Sequence, residues 1–394
     1  MKVKRIISAC LSGFMVLTAF SGCGQSSETS GAAGDSASQA AKVPTYKIGV
    51  LAPITGANAE YGVGFKVATQ MAADEINAKG KMKIVLDVKD SKGDTKESAN
   101  LARQFGDDQS TMAIIGDFTS SCCMANASIV DDAGIVQLSP TASSPQYASM
   151  SKYCFSIMGR QDGEAPFFST YLLKKYDKAQ NVAVLWINSD WGKAAYDNFS
   201  KQAAKDGLKI VANANYTADE KDWSSEIAKV RQAKPDHLVI MDEGNVAAII
   251  NQVASANWTD VKLTALGPGT SPQILSLAGK NAEGLLLSTP FMINPSDKKA
   301  TQWAADFAKK AGFGPTVHPA CAYDCVYLLA AAIQASGSKV TRDSIRDHLQ
   351  NIQNFVGLTG PIKFNTAGDI NRKYLIAGIK NGQYVKLTDY DYAS

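Results

Sequence analysis

Residues 116–126 read GDFTSSCCMAN, and Thr119, Ser120, Ser121, Cys122 and Cys123 bring three hydroxyls and two thiols to one junction. The junction lies where the apolar run at 112–115 gives way to a helical pattern. Four chemistries fit those residue types: a nucleophile, a metal site, a plain helix cap, or a cap that holds a ligand. A nucleophile needs a base within reach. The chain has 3 histidines: His237 begins a strand-like run, His318 stands beside Pro319, and His348 falls in a late helix. None stands at the carboxyl end of a strand, where a base would be wanted, and G-x-S-x-G is absent. The pair Cys122–Cys123 and the C-x-x-x-C of Cys321 and Cys325 lack the second spaced pair that zinc asks for, so no metal is expected. Gly62 to Ala68 imitates a dinucleotide fingerprint, but PITGANAEY separates it from the strand it would have to follow directly, so no cofactor is expected either. The expectation is a protein that binds and is not an enzyme.

Binding has better material. The first turn of a helix carries free N–H groups and a partial positive charge, and a Ser or Thr there adds a hydroxyl donor. GDFTSS supplies one such anion cradle, and SPTASSP at 139–145 supplies another. IMDEGN ends a different strand with Asp242 and Glu243, a place to receive an ammonium. Trp191 in SDWG and Tyr61 in AEYG offer apolar walls with polar tips.

These residues must be positioned by the elements around them. Short runs rich in Val and Ile (47–53, 84–90, 112–117, 135–140, then 182–188, 209–216, 237–243, 263–268 and 284–291) alternate with stretches whose apolar residues recur at three and four. That alternation predicts βαβ units around parallel sheets covered on both faces. Two successive series predict two doubly wound lobes, which bind ligands outside the carboxyl ends of their strands. Those ends read LAPITG, GDFTSS, LSPTASSP, WINSDWG, IMDEGN and LGPGTSP. Long helices are expected over 296–312 and 319–337, with strands and turns over 360–387.

The first 23 residues have the form of a processing signal: Lys2, Lys4 and Arg5, then an apolar stretch over 6–20 that is short for a membrane span. It ends in Phe20-Ser21-Gly22-Cys23, similar to a bacterial lipobox, which makes Cys23 the expected lipidation site. Residues 24–43 hold no aromatics and almost only small or polar side chains, the composition of a flexible tether. The rest is long enough for two domains. A formal charge of +3, from 40 basic and 37 acidic side chains spread along the chain, gives no cluster for nucleic acid, and membrane contact is expected through the anchor only. Of 7 cysteines, five remain in the body after Cys10 and Cys23, an odd number that argues against a complete disulfide framework.

Assembled in this order, the chain resembles the leucine/isoleucine/valine receptors of ABC importers, in a lipoprotein form. The resemblance runs from YKIGVLAPITGANAEYGVGFKVATQMAADEINAKG at 46–80, through IIGDFTSS, GIVQLSPTASSP, VAVLWINSDWG and AEGLLLSTPF, to FNTAGDINRKYLIAGIKNGQY at 364–384. It implies a type I periplasmic-binding fold: two Rossmann-like lobes joined by a three-segment hinge that closes on the ligand. Lobe 1 would take 44–160 and 292–364, and lobe 2 would take 161–291 and 365–394. An amino acid's carboxylate would meet the Ser120 hydroxyl and N–H, the backbone at Thr141 and Ala142, and the Ser143 hydroxyl. Tyr61 would line the side-chain pocket, and Trp191 would stand where the family often has Tyr. The family usually holds the ammonium with an acid in the loop that reads LGPGTSP here, with Gly267, Pro268 and Gly269 in place of it. Asp242 or Glu243 would then substitute. The implied partners are a branched-chain or other apolar L-amino acid and the transmembrane subunits of a permease, in an extracytoplasmic location. A signalling partner, or a different small carboxylate or amide as ligand, is the alternative.

Overall fold

The computed structural model describes residues 43–389. The signal, the lipobox Cys23 and the tether up to Lys42 lie outside the described residues, as do 390–394. The first series of elements is β1 (Thr45–Ala52), α1 (Ala59–Ala78), β2 (Lys83–Asp90), α2 (Thr95–Asp107), β3 (Thr111–Ile115), α3 (Ser120–Asp132), β4 (Val136–Ser139) and β5 (Cys154–Ser156). Its five strands pair in parallel in the order β2-β1-β3-β4-β5.

The second series is α4 (Gln161–Phe167), β6 (Asn181–Ile187), α5 (Asp190–Asp206), β7 (Lys209–Tyr216), α6 (Ser224–Arg231), β8 (His237–Met241), α7 (Val246–Ser255), β9 (Lys262–Ala265) and β10 (Leu286–Thr289). Beyond α4 the helix runs on in wide π turns over Phe168–Tyr176, just after Pro166 removes a backbone donor. The tail gives α8 (Lys298–Ala311), α9 (Val317–Ala335), α10 (Arg342–Gln350), the small hairpin β11 (Phe355–Gly357) and β12 (Gly360–Ile362), then β13 (Leu375–Lys380) and β14 (Gln383–Asp389). The second sheet has the order β14-β13-β10-β9-β8-β6-β7, parallel from β7 to β10 and antiparallel through β13 and β14.

Two hydrophobic cores follow from this. Ile48, Val50, Ile114 and Leu138 pack with Phe65 of α1 and with Phe307 and Leu329 of the tail helices. Val184, Val239 and Ile240 pack with Phe168, Phe199, Ile250 and Ile376. Each large apolar side chain so buried contributes about 1.5–3 kcal/mol. Strands β4 and β8 are buried along their whole length, as sheets with helices on both faces require. The edge strands β2 and β7 depart from the all-apolar expectation and keep exposed positions, because an edge has one open flank. Three features were not expected: short β5, α4 with its π extension, and β11, whose hairpin partner β12 opens the stretch expected as strands and turns.

The chain passes between the cores three times, between Met158 and Ala165, between Leu287 and Trp303, and between Ile370 and Tyr374. Ile370 still belongs to the first core and Tyr374 to the second, so the last change of core falls a few residues beyond the expected 364/365. Arg372 ties these passages together: its guanidinium donates to the Ile157 carbonyl at 2.7 and 3.0 Å and to the Thr359 carbonyl at 2.8 Å. Arg160 adds an ion pair to Asp369 at 3.6 Å. Gly159 lies at φ +94°, and a Cβ there would meet Arg372 and the Tyr374 hydroxyl at 2.8 Å, so glycine lets the passages lie this close.

Candidate functional site in the cleft

The carboxyl ends of both sheets face one cavity of about 30 Å³, lined from both cores. From the first core come Phe118, Ser120, Thr141, Ser143, Val317 and His318; from the second and the passages come Met158, Gln161, Glu164, Trp191, Glu243, Gly267 and Pro290.

The first wall is built by the turn after β3. Gly116 sits at φ +114°, where a Cβ would fall 2.0 Å from the Leu51 carbonyl, so only glycine makes the turn that starts α3. Thr119 caps that helix by accepting from the Cys122 N–H at 3.2 Å, and the Ser120 N–H opens it with no partner among the described residues. The Ser120 oxygen accepts from the N–H groups of Ser143 and Ser144, both at 3.2 Å. With its oxygen so held, the hydroxyl can act toward the cavity only as a donor. Ser143 Oγ likewise accepts from Gln161 Nε2 at 3.2 Å and keeps its own proton.

Other expected donors are committed elsewhere. The Thr141 hydroxyl donates to the Phe118 carbonyl at 2.6 Å, and the N–H groups of Thr141 and Ala142 go to Ser139 Oγ at 3.2 and 2.8 Å. Tyr61 is buried behind the cavity wall, stacked on Phe118 with ring centroids 4.1 Å apart. His318 meets both rings edge-on at 4.9 and 5.9 Å. That histidine was not expected at the site. It arrives at the start of α9, and burial lowers its pKa to about 3, so it is neutral at physiological pH.

The second wall is acidic. Glu243 is 7% exposed, accepts from the Ser189 hydroxyl at 2.7 Å, and is pushed from the ordinary glutamate value of 4.5 to about 7, by burial first and then by the charges of Asp242 and Asp190. The same Ser189 oxygen caps α5 by accepting from the Gly192 N–H, which sets Trp191 on the cavity. Asp242 is turned away. Its oxygens accept from the N–H groups of Gly244 (2.7 Å) and Asn245 and from the Tyr216 hydroxyl (3.0 Å), so it caps the approach to α7 and does not line the cavity.

A second acid, missed from sequence, stands at the glycine loop. Glu164 of α4 is buried; it accepts from the Gly267 N–H at 3.0 Å, the Ser288 hydroxyl at 2.8 Å and Gln161 Nε2 at 2.8 Å, and burial raises its pKa. The carboxylate absent from the LGPGTSP loop is thus brought to it by another element. Gln161 is 1% exposed, and its Oε1 has no hydrogen-bond partner although it lines the cavity. A buried acceptor left open in this way marks where a donor belongs. The signal for Gln161 and Glu164 was available: two polar residues just after the first passage, in the only stretch of the second series not preceded by a strand of its own sheet.

Outside the cavity the lobes also touch directly. Glu60 of α1 accepts from the Ser271 hydroxyl at 2.9 Å and the Gln273 N–H at 2.8 Å, and burial pushes its pKa to about 7. Ser121 accepts from the Asp190 N–H at 3.3 Å. Cys122, Cys123, Cys154, Cys321 and Cys325 are free and buried, with burial raising the pKa of every thiol. A thiol kept protonated in this way is a poor nucleophile and metal ligand. Among the described residues no group of three or more ligating side chains could hold a metal, and no helix is long and apolar enough to cross a membrane.

The model of the periplasmic binding protein family matches residues 45–383, nearly all of the described chain. The chain belongs to the periplasmic binding protein family. This periplasmic binding protein is 26% identical to the Leu/Ile/Val-binding protein homolog 1 of Brucella abortus over 329 residues, 82% of this chain and 86% of that one. The branched-chain amino-acid substrate-binding protein LivJ of Streptococcus pneumoniae, in complex with isoleucine, shares the fold at a TM-score of 0.79 and 24% identity, covering 87% of this chain and 100% of that one. A solute-binding protein of an ABC transporter from R. palustris, in complex with benzoate, shares it at 0.80 and 19%, covering 87% and 95%. The periplasmic binding protein described here therefore has the type I fold of these receptors, two lobes with the cleft between them, and is a solute receptor.

Proposed function

We propose that this protein is the extracytoplasmic receptor of an ABC importer, that it holds an apolar L-amino acid between its lobes, and that it hands the ligand unchanged to the permease. Branched-chain amino acids are the first candidates, because several relatives are named for them. The observation that carries the reading is the polarity of the cleft. The hydroxyl and N–H of Ser120 and the hydroxyl of Ser143 lie on one wall, the carboxylates of Glu243 and Glu164 with Gln161 Oε1 on the other, and among the described residues no Lys or Arg lines the cavity. A zwitterion suits that arrangement at both ends. Its carboxylate takes the donors at the start of α3, where the helix dipole adds to them. Its ammonium takes the acids, with Glu243 in the part expected of Asp242 or Glu243. Trp191, Phe118 and Met158 supply apolar walls, with Tyr61 supporting Phe118 from behind. Thr141 and Ala142 hold the shape of the donor wall through Ser139 and the Phe118 carbonyl.

A simple carboxylate such as benzoate, the ligand of one structural neighbour, would take the donor wall but bring no ammonium to the two buried acids opposite. An anchor at Cys23 fits the same role by keeping the receptor near its permease, and no catalytic step is assigned to the cleft. Calorimetric titration of the purified receptor with the twenty L-amino acids and with benzoate tests the reading. Binding of an apolar L-amino acid, with benzoate at least tenfold weaker, supports it; benzoate as the tighter ligand, or no binding by any amino acid, refutes it.

A further inference from the structure

Around the cavity the lobes meet on unequal terms. Glu60 takes bonds from Ser271 and Gln273, and Ser121 takes one from the Asp190 N–H. Elsewhere Asn58 of the first lobe packs on Gly244 of the second, and no bond forms. The Asn58 Oδ1 is buried without a hydrogen-bond partner among the described residues. A Cβ on Gly244 would lie 2.4 Å from that oxygen and 3.3 Å from the Ala57 carbonyl. Both residues are held in place. Asn58 precedes α1, and its carbonyl accepts from the N–H groups of Tyr61 and Gly62 at 3.1 and 3.3 Å as the helix starts. Gly244 is fixed by its own N–H, which donates to Asp242 at 2.7 Å. The acid turned away from the cavity thus holds the loop that meets the other lobe.

Glycine at 244 is not demanded by its own backbone. Gly244 lies outside the left-handed region that Gly116 and Gly159 occupy, so an alanine would suit its conformation. What excludes a side chain there is the opposite lobe, which hinge opening would carry away.

We infer that Asn58 and Gly244 form the closing stop of this receptor: they set how readily the cleft shuts, and so its affinity, without touching the ligand. The inference rests on the reading of the protein as a two-lobed receptor that closes by its hinge, and not on which solute it holds. A buried acceptor without a donor disfavours the shut form, while the missing Cβ lets the lobes come this close. The contact therefore opposes the Glu60 bonds, which favour closure. In a receptor that is mainly open when free, ligand affinity follows the closing equilibrium in the same proportion.

Disulfide trapping in the whole, ligand-free receptor tests this, because Ser121 and Asp190 face each other across the lobes. Ser121→Cys with Asp190→Cys gives a pair that diamide oxidises when the cleft shuts, so the rate of cross-linking, read by mass spectrometry, follows the shut population. In that background Gly244→Ala should slow trapping at least about fivefold, the lower end for an overpacked contact. Asn58→Ala should speed it at least about fivefold, the lower end for relief of an unpaired buried acceptor. Asn58 makes no capping bond with its side chain, so the alanine spares α1. Adding Gly244→Ala to Asn58→Ala should then change the rate by less than about twofold, because the two effects share one contact. Melting temperatures serve as the folding control. Trapping in a folded Gly244→Ala as fast as in the reference pair overturns the inference, as does a Gly244→Ala loss that persists in full beside Asn58→Ala. A reference pair that never cross-links overturns it too, because the shut contact is then not reached. A receptor that traps as expected yet binds no amino acid in the titrations above would overturn the amino-acid reading alone.

Discussion

Glu60 lies outside the ligand cavity yet bridges the lobes, so Glu60→Ala separates closure from ligand contact. The substitution deletes two bonds that reach across the cleft, from the Ser271 hydroxyl at 2.9 Å and the Gln273 N–H at 2.8 Å, and that hinge opening would break. Bonds to a charged acceptor contribute about 1.5–3 kcal/mol when buried, and partial exposure reduces each to about 1 kcal/mol here. Losing both weakens closure by about 2 kcal/mol, near 30-fold in the closing equilibrium. If the free receptor is mainly open, the dissociation constant of its amino acid rises by the same factor, since the binding-competent state is rarer by that factor. A pH series sharpens the test. Burial in the shut cleft raises Glu60 from 4.5 to about 7, and opening returns it toward 4.5, so closure takes up a proton between those values. This group favours the closed form at the lower end of the window, and its contribution fades as pH rises through 7. Glu60→Ala should remove that component from the pH profile of affinity. Small-angle scattering with ligand should show a smaller closed fraction at a ligand concentration that saturates the wild type. An affinity within twofold of wild type, with an identical pH profile, would refute the latch.

Ser120→Ala removes a hydroxyl donor and also strands the buried N–H groups of Ser143 and Ser144. It should lower the stability of the ligand-free protein by about 1–3 kcal/mol in denaturant titration, as well as weakening the ligand at least tenfold, whereas a residue serving the ligand alone would spare stability. For Glu243 the folded pKa of about 7 exceeds the ordinary 4.5, so its contribution to ligand-free stability is fully present below 4.5 and is lost as pH rises through 7. Glu243→Gln should flatten the fall in melting temperature between pH 5 and pH 8, with Asp369, raised by burial to about 6, supplying slope that remains. It should also cost at least tenfold in amino-acid affinity at pH 8, where the wild-type carboxylate is ionised. Gly116→Ala places a Cβ 2.0 Å from the Leu51 carbonyl in a left-handed conformation, and should cost at least about 2 kcal/mol of stability by thermal unfolding.

Fold class was readable because the first sheet is parallel, the second is parallel from β7 to β10, and both are covered on two faces, so the central strands spell unbroken apolar runs such as HLVIM at β8. That topology also points to the strand ends, where Ser120, Ser143, Trp191 and Glu243 were expected, and all four line the cavity. Choosing between Asp242 and Glu243 was harder. Neighbouring residues at a strand end point to opposite sides, and the side taken by Asp242 is decided by the amides of Gly244 and Asn245, which need an acceptor at the start of α7. Gln161, Glu164, Val317 and His318 were less legible still. They come from passages between lobes and from helix starts, where no periodicity marks a face and only the three-dimensional return of the chain brings them together. The glycine loop shows the same limit: a missing acid in one segment was restored by Glu164, 103 positions earlier than Gly267.

Calorimetric comparison of one bound L-amino acid with its 2-hydroxy acid, which keeps the carboxylate and loses the ammonium, probes the cleft most directly. A zwitterion held between the Ser120–Ser143 wall and the Glu243–Glu164 wall predicts that the hydroxy acid binds at least about 30-fold more weakly, the loss expected when buried acids are left without their charged partner. A hydroxy acid that binds as tightly as the amino acid would contradict it.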